Sequence, residues 1–153
     1  MSLWNKLFGR GSDDRVDYYE EGLHLLRAGS FHEALTSFRL ALREAPNDPA
    51  ILMQIAVAYT RIGMTEEAIK TYQAVLRKQG QAAGAHYGLA FLLLHEGRED
   101  EAVPHLRSFL RQPPEGPEAG RHIAHARETL AQLSGGAEAG EQPLSGPPAA
   151  GSP

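Results

Sequence analysis

His122, His125 and Glu128 follow one another at intervals of three in "RHIAHARETL", so on a helix they lie near one face. Imidazole and carboxylate groups in such a row are ligands a divalent metal accepts. Helical zinc pairs more often stand four apart, however, and no H-E-x-x-H occurs here. The three residues therefore read as the solvated side of a helix, and no metal site is expected. Other reactive patterns are missing from the sequence. There are no cysteines, hence no disulfide, thiolate ligand or cysteine nucleophile, which fits a reducing compartment. No G-x-S-x-G elbow, no phosphate-cradling glycine loop and no pair of carboxylates within an apolar pattern can be found. His86 and His105 stand singly and read as interface or surface residues. The expectation is a non-enzymatic protein that needs no cofactor.

The acids Glu33, Glu67 and Glu101 are chemically more interesting for their interval, which is 34 residues each time. Other columns share it. Gly29, Gly63 and Gly97 precede the acids; Ala34, Ala68 and Ala102 follow them; then come Phe38, Tyr72 and Leu106, and Ala41, Val75 and Phe109. Upstream of each glycine, Gly22, Ala56 and Ala90 align, as do Leu25, Tyr59 and Leu93. Pro46, Gly80 and Pro114 close the three units. Each unit holds two runs with apolar residues three and four apart, split by a glycine, which spells helix, turn, helix. An acid in the first turn of the second helix suits the positive end of the helix dipole and needs no catalytic role.

These columns resemble the tetratricopeptide repeat, a 34-residue helical hairpin with a small residue in its first helix and A-x3-F-x2-A with a terminal proline in its second. Residues 15–48 carry Tyr18, Gly22, Leu25, Gly29, Ala34, Phe38, Ala41 and Pro46 at the motif positions. Residues 49–82 carry Leu52, Ile55, Ala56, Tyr59, Ala68 and Tyr72, with Gly80 in place of the proline. Residues 83–116 fit more loosely, with His86 at the first aromatic position and Phe109 where a small residue is usual. Glu21 also departs from a column that is otherwise Ile55 and Leu89; with no hairpin before it, a charge there can stay in water. The resemblance implies an all-α fold, a right-handed superhelical stack of three hairpins. Residues 117–133, with Ile123, Ala126, Leu130 and Leu133 on one stripe, read as a C-terminal capping helix that begins at Pro117. The domain is thus expected over 15–133. Residues 134–153 are rich in Gly, Pro, Ala and Ser and read as a disordered tail.

By the same resemblance, the first helix of each hairpin lines a concave face through the fifth, ninth and twelfth positions of the repeat. These are Tyr19, Leu23 and Leu26, then Met53, Val57 and Thr60, then Tyr87, Phe91 and Leu94. Eight of the nine are apolar or aromatic, so the expected ligand is an apolar peptide or an amphipathic helix from a protein partner. Family members that hold a C-terminal carboxylate use Lys and Asn in the first repeat and Lys and Arg in the third. Here Tyr19, Leu23, Gly84 and Gly88 stand at those positions, leaving no cation for a carboxylate. The function expected is a protein–protein interaction adaptor or scaffold.

The segment 1–14 reads as a flexible amphipathic end in which Leu3, Trp4, Leu7 and Phe8 share a helical stripe beside Lys6 and Arg10. Three readings stay open for it. It anchors to a partner or, weakly, to a membrane surface; it occupies the groove of its own or a neighbouring chain, giving self-occlusion or a homo-oligomer; or it is a frayed end. A membrane-associated or self-assembling structural protein is the alternative function. The composition (153 residues, 42% hydrophobic, net charge −4) gives no footprint for nucleic acid. No apolar run approaches the roughly 20 residues of a membrane span and no signal peptide is evident. The expected location is cytoplasmic, with peripheral membrane contact as the alternative.

Overall fold

Gly29, Gly63 and Gly97 have φ of 81°, 89° and 72°, a left-handed conformation that costs glycine nothing and other residues about 1–2 kcal/mol. Each ends a helix in the same way: the next residue's N–H turns back to a carbonyl five residues earlier. Ser30 donates to Leu25 O at 2.9 Å, Met64 to Tyr59 O at 3.0 Å and Arg98 to Leu93 O at 2.8 Å. The glycine column is therefore a column of helix stops.

The computed structural model describes residues 16–140, which hold seven helices and no strand. They are α1 (Tyr18–Arg27), α2 (Phe31–Glu44), α3 (Pro49–Ile62), α4 (Thr65–Lys78), α5 (Ala83–His95), α6 (Glu99–Arg111) and α7 (Ala119–Gly140). Asp17 caps α1 by accepting from Glu20 N at 3.1 Å. Asp48 caps α3, accepting from Ala50 N at 2.8 Å, with Pro49 at the first helical position. The second helices, α2, α4 and α6, have no side-chain cap; Glu33, Glu67 and Glu101 sit in their first turns, where the dipole favours them. Pro104, sixth in α6, does not interrupt the helix, which continues to Arg111.

Each helix packs on the next in sequence, and α1 also touches α3, as α3 touches α5. The repeat columns become the core. Ala34, Ala68 and Ala102 are fully buried, as are Phe38 and Leu106, with Tyr72 at 4% exposure. Gly22 shows why the first-helix column is small. A Cβ added there would lie 2.5 Å from the Phe38 ring, and one added at Gly88 would lie 2.5 Å from the Tyr72 ring. Glu21 is exposed, as the sequence reading expects for the first of the three hairpins, whereas Ile55 and Leu89 in its column are buried.

The last helix differs from expectation at both ends. Pro117 lies in the turn before α7, because Ala119 N–H bonds Gly116 O at 3.2 Å and places the proline second in a four-residue turn. At its far end α7 continues through residues 134–140, which composition assigns to a disordered tail. Extending an existing helix adds a hydrogen bond per residue fixed and avoids the cost of nucleation, so composition understates helix there. Ala126 is buried, and Ile123, Leu130 and Leu133 pack beside it, as the stripe implies. No helix among the described residues is long and apolar enough to cross a membrane.

His86 and His105, read from sequence as single interface or surface residues, meet each other between α5 and α6 with their Nδ1 atoms 3.0 Å apart. His86 Nε2 lies 2.8 Å from Gly80 O, which can only accept, so Nε2 carries the proton. The Nδ1 of neutral His86 is then the acceptor and His105 Nδ1–H the donor. Burial first, and the neighbouring His86 second, hold His105 below the ordinary imidazole range against the opposite pull of Glu101. The unfolded chain therefore takes up this proton at a higher pH than the folded one. The pair's contribution to stability is complete above the ordinary imidazole range, near pH 6.5, and declines as the pH falls through the lowered value.

Two predictions follow from this packing. Gly22→Ala gains up to about 1 kcal/mol of helix propensity but must move a fully buried ring, an overpacking cost of about 1–3 kcal/mol, so a net loss of stability is expected. Gly135→Ala in α7, where an added Cβ meets nothing within 4 Å, should instead be neutral or stabilising by up to about 1 kcal/mol. Urea unfolding of both variants checks the opposite signs. For the histidine pair, the melting temperature of the chain should fall between pH 7.5 and 5.5, and His105→Gln, which donates without titrating, should flatten that slope.

Candidate interaction surface

The nine residues that the repeat register assigns to the concave face lie on α1, α3 and α5, and every one is half-buried. They do not contribute alike. Met53 Cε closes on Gly84, so this side chain plugs the joint between α3 and α5. Thr60 turns inward: its hydroxyl donates to Ala56 O at 2.8 Å, and it also hydrogen-bonds Tyr72, whose own hydroxyl burial pushes up in pKa. Tyr19 packs toward Phe38, with ring centroids 6.0 Å apart. Leu26 packs against the buried cluster of the first hairpin, and Leu94 against the clusters of the second and third units. At the ninth position of each repeat stand Leu23, Val57 and Phe91, each with part of its side chain exposed: Leu23 rests on the first-hairpin cluster and Phe91 on the third, while Val57 belongs to none of the three clusters.

At the third hairpin the surface is shared with α7. Phe91 stacks on His125 with centroids 4.4 Å apart and planes within 9°. The Tyr87 hydroxyl lies 2.8 Å from His125 Nδ1, and its ring meets His122 edge-on at 4.9 Å and Phe109 at 5.0 Å. Burial pushes the Tyr87 hydroxyl up in pKa. His122 and His125, read from sequence as solvated, are thus exposed but seated on aromatic rings. Their spacing of three puts both on one side of α7 beside Ile123 and Ala126, which the sequence shows, but not the rings they meet on α5. Among the described residues no group of three or more His, Asp or Glu is placed to hold a metal.

The register did not point to the concavity between α6 and α7. Pro104, Arg107, Leu110 and Arg111 of α6 face Leu130 of α7 across an open cleft. The anchor residues Leu3, Trp4, Leu7 and Phe8 lie outside the described residues.

Two family profiles, both described as tetratricopeptide repeat, match residues 25–84 and 61–117. Among curated proteins, the chain is 32% identical over 93 residues to a TPR repeat-containing thioredoxin, TTL4, of Arabidopsis thaliana, and 26% identical over 107 residues to an aspartyl/asparaginyl beta-hydroxylase of Homo sapiens. These matches cover 61% and 69% of this chain but only 14% of either relative. Among solved structures, the type III secretion translocator chaperone SycD of Yersinia enterocolitica superposes with a TM-score of 0.74 at 17% identity, covering 84% of this chain and 88% of that one. The same chaperone in complex with a peptide of the translocator YopD gives 0.72 at 17% identity, over 81% and 95%. A chain of a T3SS complex from Aeromonas hydrophila gives 0.72 at 18%, over 90% and 91%.

The α5–α7 contact makes its own prediction. His125→Ala should speed amide exchange along α7 while leaving α1 to α4 unchanged. Tyr87→Phe, which removes one partly exposed hydrogen bond, should cost about 0.5–1 kcal/mol. Unchanged exchange in α7 would show that the ring contacts do not hold the helix.

Proposed function

Because the chain belongs to the tetratricopeptide-repeat family, we propose that it is a non-enzymatic adaptor or scaffold whose first-helix face binds an apolar peptide or amphipathic helix. The observation that carries this reading is the row Leu23, Val57 and Phe91, apolar and half-buried on three successive first helices. A face meant only for water has no reason to repeat large apolar side chains at one register position, and such surfaces are typical of contacts. Along a helix laid across the row, residues i and i+7 stand about 10.5 Å apart, close to the spacing of neighbouring rails.

The chemistry of the face argues for an apolar partner over a carboxylate terminus. Tyr19 and Leu23 offer no cation, and in the third repeat a side chain at Gly84 would run into Met53 and one at Gly88 into Tyr72. That the SycD structure of the same fold holds a peptide of YopD supports peptide binding in general and says nothing of this chain's own ligand. The activities named for the curated relatives are not carried over, since the matched stretch is 14% of each. The groups with perturbed titration also have packing reasons: His105 bonds His86, and Arg98 holds Glu101.

The test is a selection of peptides from a random display library against the intact chain. Selected sequences should carry apolar residues at helical spacing. Leu23→Glu and Val57→Glu should each weaken their binding at least tenfold with the circular dichroism spectrum unchanged. These two positions are cleaner than Phe91, where a charge would also disturb His125. Peptides that bind both variants as well as the parent would move the binding surface elsewhere.

A further inference from the structure

We propose that the groove is occupied in the resting protein by the chain's own residues 3–8, which a partner must displace. The proposal rests on the groove reading above and adds its regulation. Three observations lead to it. First, Leu3, Trp4, Leu7 and Phe8 follow one another at intervals of one, three and one, which on a helix is a single apolar stripe of the kind the groove is argued to receive. Second, the tether reaches. The described chain enters at Val16, directly before α1, which is itself one rail of the groove. Residues 9–16 extend up to about 26 Å at roughly 3.3 Å each. From α1 across α3 to α5 is two helix spacings of about 8–10 Å each, and α1 touches α3 as α3 touches α5. Phe8 can therefore be brought over any of Leu23, Val57 and Phe91.

Third, the charges favour this site over an anionic surface. Lys6 and Arg10 flank the stripe, while α1 opens with exposed Glu20 and Glu21. Asp13 and Asp14, in the tether, would be repelled by acidic lipid. Tethering also changes the arithmetic. A short apolar segment binds weakly on its own, but a tether of this length holds it at roughly millimolar effective concentration beside the groove. Occupancy is then high without making displacement by a longer partner difficult.

Trp4 is the only tryptophan in the chain, so intrinsic fluorescence reports this segment alone. In the intact native protein its emission should be blue-shifted and several-fold less quenched by acrylamide than in a peptide of residues 1–15. Val57→Glu, and separately Leu23→Glu, should return both readings toward the peptide's while the helical spectrum is unchanged. Both effects should be independent of protein concentration. Native emission equal to the free peptide's overturns the proposal. So does a blue shift that disappears on dilution, which would assign the groove to a second copy. So does a shift that appears only with vesicles of phosphatidylcholine and phosphatidylglycerol, which would assign the segment to lipid. If Trp4 is free while selected peptides still need Leu23 and Val57, only the occlusion fails. If the peptides ignore those residues, the groove reading fails with it.

Discussion

Close approach of two backbones inside each hairpin governs the rest of the structure. At Gly22 the first helix has no side chain, and the Phe38 ring fills that space so tightly that even a methyl group would collide with it. Ala56 shares a buried cluster with Tyr72, and Ala90 another with Leu106, so the same pairing of a small residue with a large one recurs in each unit. This contact fixes the angle between the two helices of a hairpin. Because it recurs at 34-residue intervals, it also fixes the angle between hairpins. The outer face of the first helices follows as a remainder. Position eight of every repeat, and position seven of the second and third, turn toward the joint, and those at five and nine are left half-covered.

Much of this was legible because the interactions are local or periodic. A glycine that stops a helix does so through hydrogen bonds spanning five residues, and the three stops share one geometry, so their column is visible in the sequence. The exposure of Glu21 could also be read, since it follows from being first in a stack. What could not be read depends on distance in the chain. His86 and His105 are 19 residues apart, and Tyr87 and His125 are 38 apart. Neither pair has a periodic counterpart in the other repeats, and single histidines give no hint of a partner. The extension of α7 past residue 133 was hidden for a different reason: composition judges a segment as though it stood alone, whereas here a helix was already running into it.

The two ends of the stack are not equivalent, and this bears on how a ligand would lie. At α1 the face is open along Tyr19 and Leu23, with no helix described beyond it. At α5 the corresponding residues Tyr87 and Phe91 already have partners in His122 and His125 of α7. Among the described residues, the first-helix face is thus bounded by an aromatic wall at one end alone, where the imidazole of His125 occupies one ring face of Phe91.

That asymmetry also limits what the fold alone can determine. Stacks of this type place first-helix residues on a common face whatever those residues are, so position follows from the repeat while chemistry follows from each side chain. Thr60 shows the difference: the register puts it on the face, yet its hydroxyl is satisfied by Ala56 O and Tyr72 and turns away from any ligand. Met53, likewise on the face by register, serves as a joint filler against Gly84. The apolar character of the face therefore rests on fewer residues than the pattern names: Leu23 keeps an exposed side above the first-hairpin cluster, and Val57 belongs to none of the three buried clusters.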